Sequence, residues 1–149
     1  MRGKFIPIRK SPEKVNFTKI LFVCTGNAHR SPLAEALLKK FRPDLKVESA
    51  GLRTPIPISD EARVYLAKQN AEQYLKKAPQ SLDVKRLEDY DLIIAMEPRH
   101  KIAVTMKCPQ CEHRTVVWNI EDPYSMSPED AEKIYAEIKE KVKELARTL

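Results

Sequence analysis

The chain alternates short apolar runs with amphipathic stretches. KILFVC (19–24) is apolar at five successive positions, the pattern of a parallel strand covered on both faces. SPLAEALLKKF (31–41) follows as a predicted helix. Pro32 suits its first turn, and Pro43 keeps it from continuing far. LKVESAG (45–51) predicts a second strand. SDEARVYLAKQ (59–69) predicts a helix with Ser59 as N-cap and acids in its first turn. DVKRLEDY (83–90) reads as a short helix, DLIIAM (91–96) as a third strand, PRHKIAVTM (98–106) as a helix and TVVWNI (115–120) as a fourth strand. Ser127-Pro128-Glu129-Asp130 has the form of a capping box. Beyond it Ala131, Ile134, Tyr135, Ile138, Val142, Leu145 and Leu149 step by three or four along one helical stripe.

Strands alternating with helices predict an α/β fold: a single three-layer domain with a central four-stranded parallel sheet and helices on both faces. Ligands of such sheets gather beyond the carboxyl ends of the strands. Two of those ends stand out: the first strand finishes at Cys24, and Asp122-Pro123 follows the fourth.

Composition adds limits. A length of 149 residues fits one domain, and 42% hydrophobic with 32% charged residues is ordinary for a globular chain. The net charge of +6 is uneven. Residues 1–19 hold Arg2, Lys4, Arg9, Lys10, Lys14 and Lys19 against Glu13, leaving +1 for all the rest. Residues 1–18 are therefore expected to be a basic extension ahead of a domain at 19–149. It reads as a solvated arm or an added edge strand, with docking to an acidic partner as the alternative. The domain shows no basic patch with aromatic platforms, so no nucleic-acid partner is expected. No apolar segment is long enough for a bilayer and the N-terminus lacks the apolar core of a signal peptide, so no membrane partner is expected and a cytoplasmic location is.

The candidate chemistry lies at Cys24–Ser31. A short loop from a strand into a helix N-terminus turns backbone N–H groups inward and makes an anion cup. Gly26 lets the backbone bend close to a ligand. Asn27 tolerates a left-handed conformation and can brace the loop. Arg30 can fork onto two phosphate oxygens. Amides, helix dipole and Arg30 all favour a thiolate at Cys24, and Ser31 can donate to that sulfur. A thiolate facing a tetrahedral oxyanion is a nucleophile for phosphoryl transfer. Asp122 is the candidate acid for the leaving group and then base for water, with Glu121 as its neighbour in reserve. The phosphate loop G-x-x-x-x-G-K-[ST] and the elbow G-x-S-x-G are absent from the sequence, which disfavours a nucleoside triphosphatase and an α/β serine hydrolase.

At these residues the sequence resembles the low-molecular-weight protein tyrosine phosphatases, over residues 19–149. VCTGNAHRSPLAEA is similar to their catalytic loop and first helix, ESAGL and DLIIAM to their second and third strands, and EDPY to their general-acid loop. The resemblance implies a sheet order of 2-1-3-4 and hydrolysis of phosphotyrosine through a phosphocysteine intermediate. It implies Cys24 as nucleophile, Arg30 as phosphate clamp, Asp122 as acid and base, and no metal or other cofactor. The expected phosphate and substrate contacts are Thr25, Gly26, Asn27, Ala28, His29, Ser31 and Tyr124, with Asn27 and Ser31 as supports. The expected partners are a phosphoprotein substrate and a phosphate or other oxyanion in the loop, the chain acting as a monomer or weak homodimer. The sequence also departs from the family. His29 stands where many members carry a protective second cysteine; it reads as a cation beside the thiolate or as a ring turned outward. The stretch after Gly51 lacks the pocket aromatic of eukaryotic members, Ser125 replaces a second tyrosine, and KKAPQ (76–80) stands for the usual H-x-A-R. Phosphoarginine phosphatases and arsenate reductases on the same scaffold are the alternatives. Ala28 replaces the threonine of some arginine-directed relatives.

Cys108 and Cys111 form a C-x-x-C pair with His113 nearby. A helix after a parallel strand runs back towards the amino ends, so the pair is expected on the face opposite Cys24, about 15 Å or more away. A local disulfide is the leading reading. Half a zinc site, a relay with Cys24 and a pair of free thiols are the others.

Overall fold

The structure is a computed structural model and describes residues 19–149; the basic extension expected at 1–18 lies outside the described residues. Four strands, β1 (Lys19–Cys24), β2 (Lys46–Gly51), β3 (Leu92–Ala95) and β4 (Thr115–Val117), form one sheet in the order β2-β1-β3-β4. Every pairing is parallel. The helices are α1 (Arg30–Phe41), α2 (Asp60–Lys68), α3 (Pro98–Lys107) and α4 (Pro128–Thr148). The predicted fold class and sheet order are the ones observed.

The period of two along β1 divides the core. Ile20, Phe22 and Cys24 join one apolar cluster with Leu33 and Leu37 of α1, Leu66 of α2, and Tyr135, Ile138 and Val142 of α4. Leu21 and Val23 join a second with Ile93, Val104 of α3, Leu82, Leu87, Tyr90, Cys108 and Cys111. The two clusters lie on opposite faces of the sheet, as the strand's alternation requires. Ser59 caps α2 by accepting from Ala62 N, and Ser127 caps α4 by accepting from Asp130 N.

Two predicted elements differ. The helix expected at 83–90 is a pair of single 3₁₀ turns, Leu82–Val84 and Leu87–Asp89. The Ser81 side chain accepts from Asp83 N, and Lys85 lies in extended backbone with its ammonium 2.9 Å from Glu48 Oε1. Leu82, Leu87 and Tyr90 are all buried. The fourth strand stops at Val117 rather than 120. Asn119 takes a left-handed conformation (φ 57°) and breaks the strand, although Trp118 N and Ile120 N still donate to Ala95 O and Met96 O.

Candidate active site

The strand-to-helix connection after Cys24 is fixed from three sides. Its turn is made by Asn27, at φ 54°, and not by Gly26, which has no positive φ. From the following chain, Leu52 N and Arg53 N donate to Cys24 O and Thr25 O at 3.2 and 3.1 Å, and Ser59 N donates to Ala28 O at 2.9 Å. Gly51, paired with Cys24 in the sheet, lies so close that a Cβ there would sit 2.7 Å from Asn27 N. α1 opens at Arg30 after His29, whose side chain makes no capping hydrogen bond. Its first N–H groups are thus left to the loop's own concavity.

The nucleophile candidate is the buried free thiol Cys24. Its sulfur accepts from Asn27 N at 3.3 Å and lies 2.9 Å from Ser31 Oγ. Asn27 Nδ2 donates to Ser31 Oγ at 2.8 Å, so the Ser31 proton is left to point at sulfur. Asn27 and Ser31, expected among the phosphate contacts, both sit behind the cradle as supports.

Arg30 is 1% exposed. Its Nη1 is held by the Glu97 carboxylate and by Ile120 O at 2.7 Å. Its Nη2 lies 3.6 Å from Asp122 Oδ2 and 3.4 Å from Thr25 Oγ1. One side of the fork is therefore anchored and the other faces the cup. The Glu97 carboxyl is desolvated, but the Arg30 and Arg99 guanidiniums still hold it below the ordinary carboxylate range. His100 supports the same wall. Its Nδ1 accepts from Glu97 N at 3.0 Å, so Nε2 carries the proton and donates to Thr25 Oγ1 at 2.9 Å.

A cavity of about 240 Å³ opens above this floor. It is lined by Cys24, Thr25, Gly26, Ala28, His29 and Arg30 from the loop and the start of α1, by Arg53, Pro55 and Ile56 from the chain after β2, and by Asp122 and Tyr124 from the chain after β4. Asp122 Oδ1 accepts from Tyr124 N at 3.0 Å, which steadies the carboxylate on its loop. His29 lines the cavity rather than turning outward, and its ring and that of Tyr124 meet edge to face with centroids 6.1 Å apart. Burial lowers its pKa, opposed by Asp122 and Glu61 and aided by Arg30, which favours the neutral ring.

A disulfide joins Cys108 and Cys111, with Cα atoms 5.3 Å apart. The pair follows α3 at the end remote from the β3 carboxyl terminus and belongs to the second cluster, across the sheet from Cys24. In this arrangement it supplies neither free zinc ligands nor a relay partner. Among the described residues no group of three or more His, Cys, Asp and Glu side chains could hold a metal ion.

Sequence reading missed Glu97, His100, Ser49, Glu35 and Lys76, all bonded into or beneath the cup. For Glu97 a signal existed: a charged residue directly after the carboxyl end of a strand.

Comparison with known proteins places the chain in a family. A family model described as low molecular weight phosphotyrosine protein phosphatase matches residues 19–149. The chain is 33% identical over 144 residues to the low molecular weight protein-tyrosine-phosphatase Etp of Escherichia coli K12, covering 91% of this chain and 97% of Etp. It is similar to the solved Vibrio vulnificus Wzb in complex with benzylphosphonate, at 31% identity and a TM-score of 0.82, covering 90% of this chain and all of Wzb. It is also similar to the arginine phosphatase YwlE solved with a phosphorylated active-site serine, at 25% identity and a TM-score of 0.78, covering 87% of this chain and 94% of YwlE.

Proposed function

The chain belongs to the low-molecular-weight phosphotyrosine protein phosphatase family, and from that premise we propose that it hydrolyses phosphotyrosine in proteins through a phosphocysteine on Cys24. The observation that carries the assignment of residues is the convergence of Cys24, Arg30 and Asp122 on one cavity. The cradle amides and the cavity-facing side of Arg30 hold the phosphoryl oxygens. The Cys24 sulfur attacks phosphorus in line, and the phosphorus–oxygen bond to the leaving group breaks. Asp122 gives its proton to the departing phenolate oxygen. Asp122, now a carboxylate, takes a proton from water; the water oxygen attacks phosphorus, the sulfur–phosphorus bond breaks and phosphate leaves.

Ile56 and Tyr124 both line the cavity, and an aliphatic and an aromatic side chain there suit an aromatic ring on the phosphate. The benzylphosphonate bound by the Vibrio relative has that shape. Phosphoarginine is the second substrate to test, because YwlE shares the fold; Ala28 offers no hydroxyl to a guanidino group. A cytoplasmic location, expected from the sequence, is part of the proposal. So is the division into an extension at 1–18 and a catalytic domain at 19–149. A monomer or weak homodimer is likewise part of the proposal.

The test is phosphate release from a phosphotyrosine peptide, in EDTA and without added thiol. Wild type should turn over, Cys24→Ser should not, and Asp122→Ala should be slower by about 10²–10⁴-fold. Turnover by Cys24→Ser, or a rate abolished by EDTA, refutes the mechanism. Inactivity of the wild type towards this peptide with activity on phosphoarginine moves the substrate and leaves the mechanism in place.

A further inference from the structure

Lys76 lies behind the cradle and has no part in the steps above. Its ammonium faces four acceptors: Asn27 Oδ1 at 2.6 Å, Ser49 O at 2.8 Å, Ser49 Oγ at 3.2 Å and Gln80 Oε1 at 3.3 Å. Gln80 N donates to the same Asn27 oxygen at 2.8 Å. Through Asn27 the contact reaches the sulfur. A run of donors passes from ammonium to amide, from amide to the Ser31 hydroxyl, and from hydroxyl to Cys24 Sγ. A side branch runs from Asn27 Nδ2 to Ser49 Oγ at 2.9 Å and from Ser49 to Glu35 Oε1 at 2.5 Å. Glu35 is itself buried and is met on its other oxygen by Lys39 at 2.6 Å.

Charges face Lys76 from several elements. Glu35 of α1 and Cys24 at the end of β1 attract it; Lys85, between the two 3₁₀ turns, and Lys39 of α1 repel it. Burial is the largest effect and lowers its pKa to about 8, so at neutral pH the group is still mostly an ammonium. The attraction between this cation and a sulfur anion is mutual.

We propose that Lys76 is a positioning residue for the reaction: its charge, and its hydrogen bond to Asn27, hold the cradle in its left-handed turn and keep the Cys24 sulfur anionic. The proposal rests on Cys24 being the nucleophile. It gives a role to the segment where this sequence departs from the family pattern, KKAPQ, whose first lysine is Lys76.

The test uses the full chain and three variants. Lys76→Gln keeps a donor for Asn27 without the charge, Lys76→Met removes both, and Lys76→Arg restores a cation. The readout is the rate of Cys24 alkylation by iodoacetamide as a function of pH, beside phosphate release, with folding checked by thermal melts. At about pH 6 Lys76→Gln should be alkylated up to about tenfold more slowly than wild type, the effect of moving a thiol's titration by one pH unit. The gap should close at alkaline pH, where wild-type Lys76 is itself neutral. Lys76→Arg should recover part of the difference, and Lys76→Met should lose at least as much as Lys76→Gln. Superimposable curves for wild type and Lys76→Gln overturn the proposal, as does an equal loss in Lys76→Gln and Lys76→Arg. Should the substitutions at Lys76 not fold, Cys24→Ser gives an independent reading by NMR titration of the Lys76 side chain. Loss of the sulfur anion should let Lys76 shed its proton at lower pH, and an unchanged titration overturns the proposal. A Cys24→Ser variant that still releases phosphate would instead remove the nucleophile on which the proposal rests.

Discussion

Each polar atom of the Asn27 side chain has a partner: two donors go to Ser31 and Ser49, and the oxygen takes Lys76 and Gln80 N. The residue was legible in the sequence as a left-handed brace, but its partners were not. Lys76 and Ser49 stand 49 and 22 residues away, a separation at which no local spacing can signal contact. The same holds for His100, 75 residues from Thr25. His100 is fully buried, and its pKa falls to about 4, through burial first and then the Arg30 charge, with Glu97 partly opposing. In the unfolded chain it titrates near 6.5. Below that pH the unfolded state takes up a proton that the folded state refuses, so the stability His100 contributes is complete above about pH 6.5 and is lost as pH falls towards 4. The whole difference amounts to at most about 3 kcal/mol. Urea midpoints measured across this range should therefore fall more steeply for wild type than for His100→Asn, which keeps an acceptor near Glu97 N without the titration. Parallel slopes would show that His100 does not set the acid limit.

The end of β2 shapes the site as much as the loop it touches. Gly51 is needed here for volume: an added Cβ would meet backbone atoms of Asn27, Gly26 and Thr25 at 2.7–2.8 Å, and backbone pinned by three outside hydrogen bonds has little room to yield. Gly51→Ala should cost about 1–3 kcal/mol in chemical denaturation, the usual range for overpacking, and should reduce phosphate release in the molecules that do fold. An unaltered rate and stability would mean that the loop can move. Elements with a strong period or a side-chain cap, such as β1, α2 and α4, were legible within a residue or two. The segment at 83–90 was not, because Ser81 and the Lys85–Glu48 contact override its helical composition. The fourth strand was overread because nothing in TVVWNI announces that Asn119 turns left-handed.

Across the whole molecule, parallel strands separate two kinds of cysteine. Chemistry gathers at the carboxyl ends around Cys24, and the Cys108–Cys111 disulfide closes a turn beyond the far end of α3. Alternating strands and helices were enough to place both, whereas the strand order came from family resemblance, since periodicity carries no information about which strands are neighbours. A bridge over so few residues restrains little chain entropy, up to about 2 kcal/mol. Reduction should lower the melting temperature by a few degrees while turnover, measured on the same sample, stays unchanged; a parallel loss of both would tie the two ends together. The separation also bears on how a preparation is kept. Thiol in the storage buffer protects Cys24 from oxidation and opens the bridge, and its omission does the reverse. Samples ranked by melting curve alone would then favour the bottle with the fewest working nucleophiles, so active-site titration has to accompany every measurement of thermal stability.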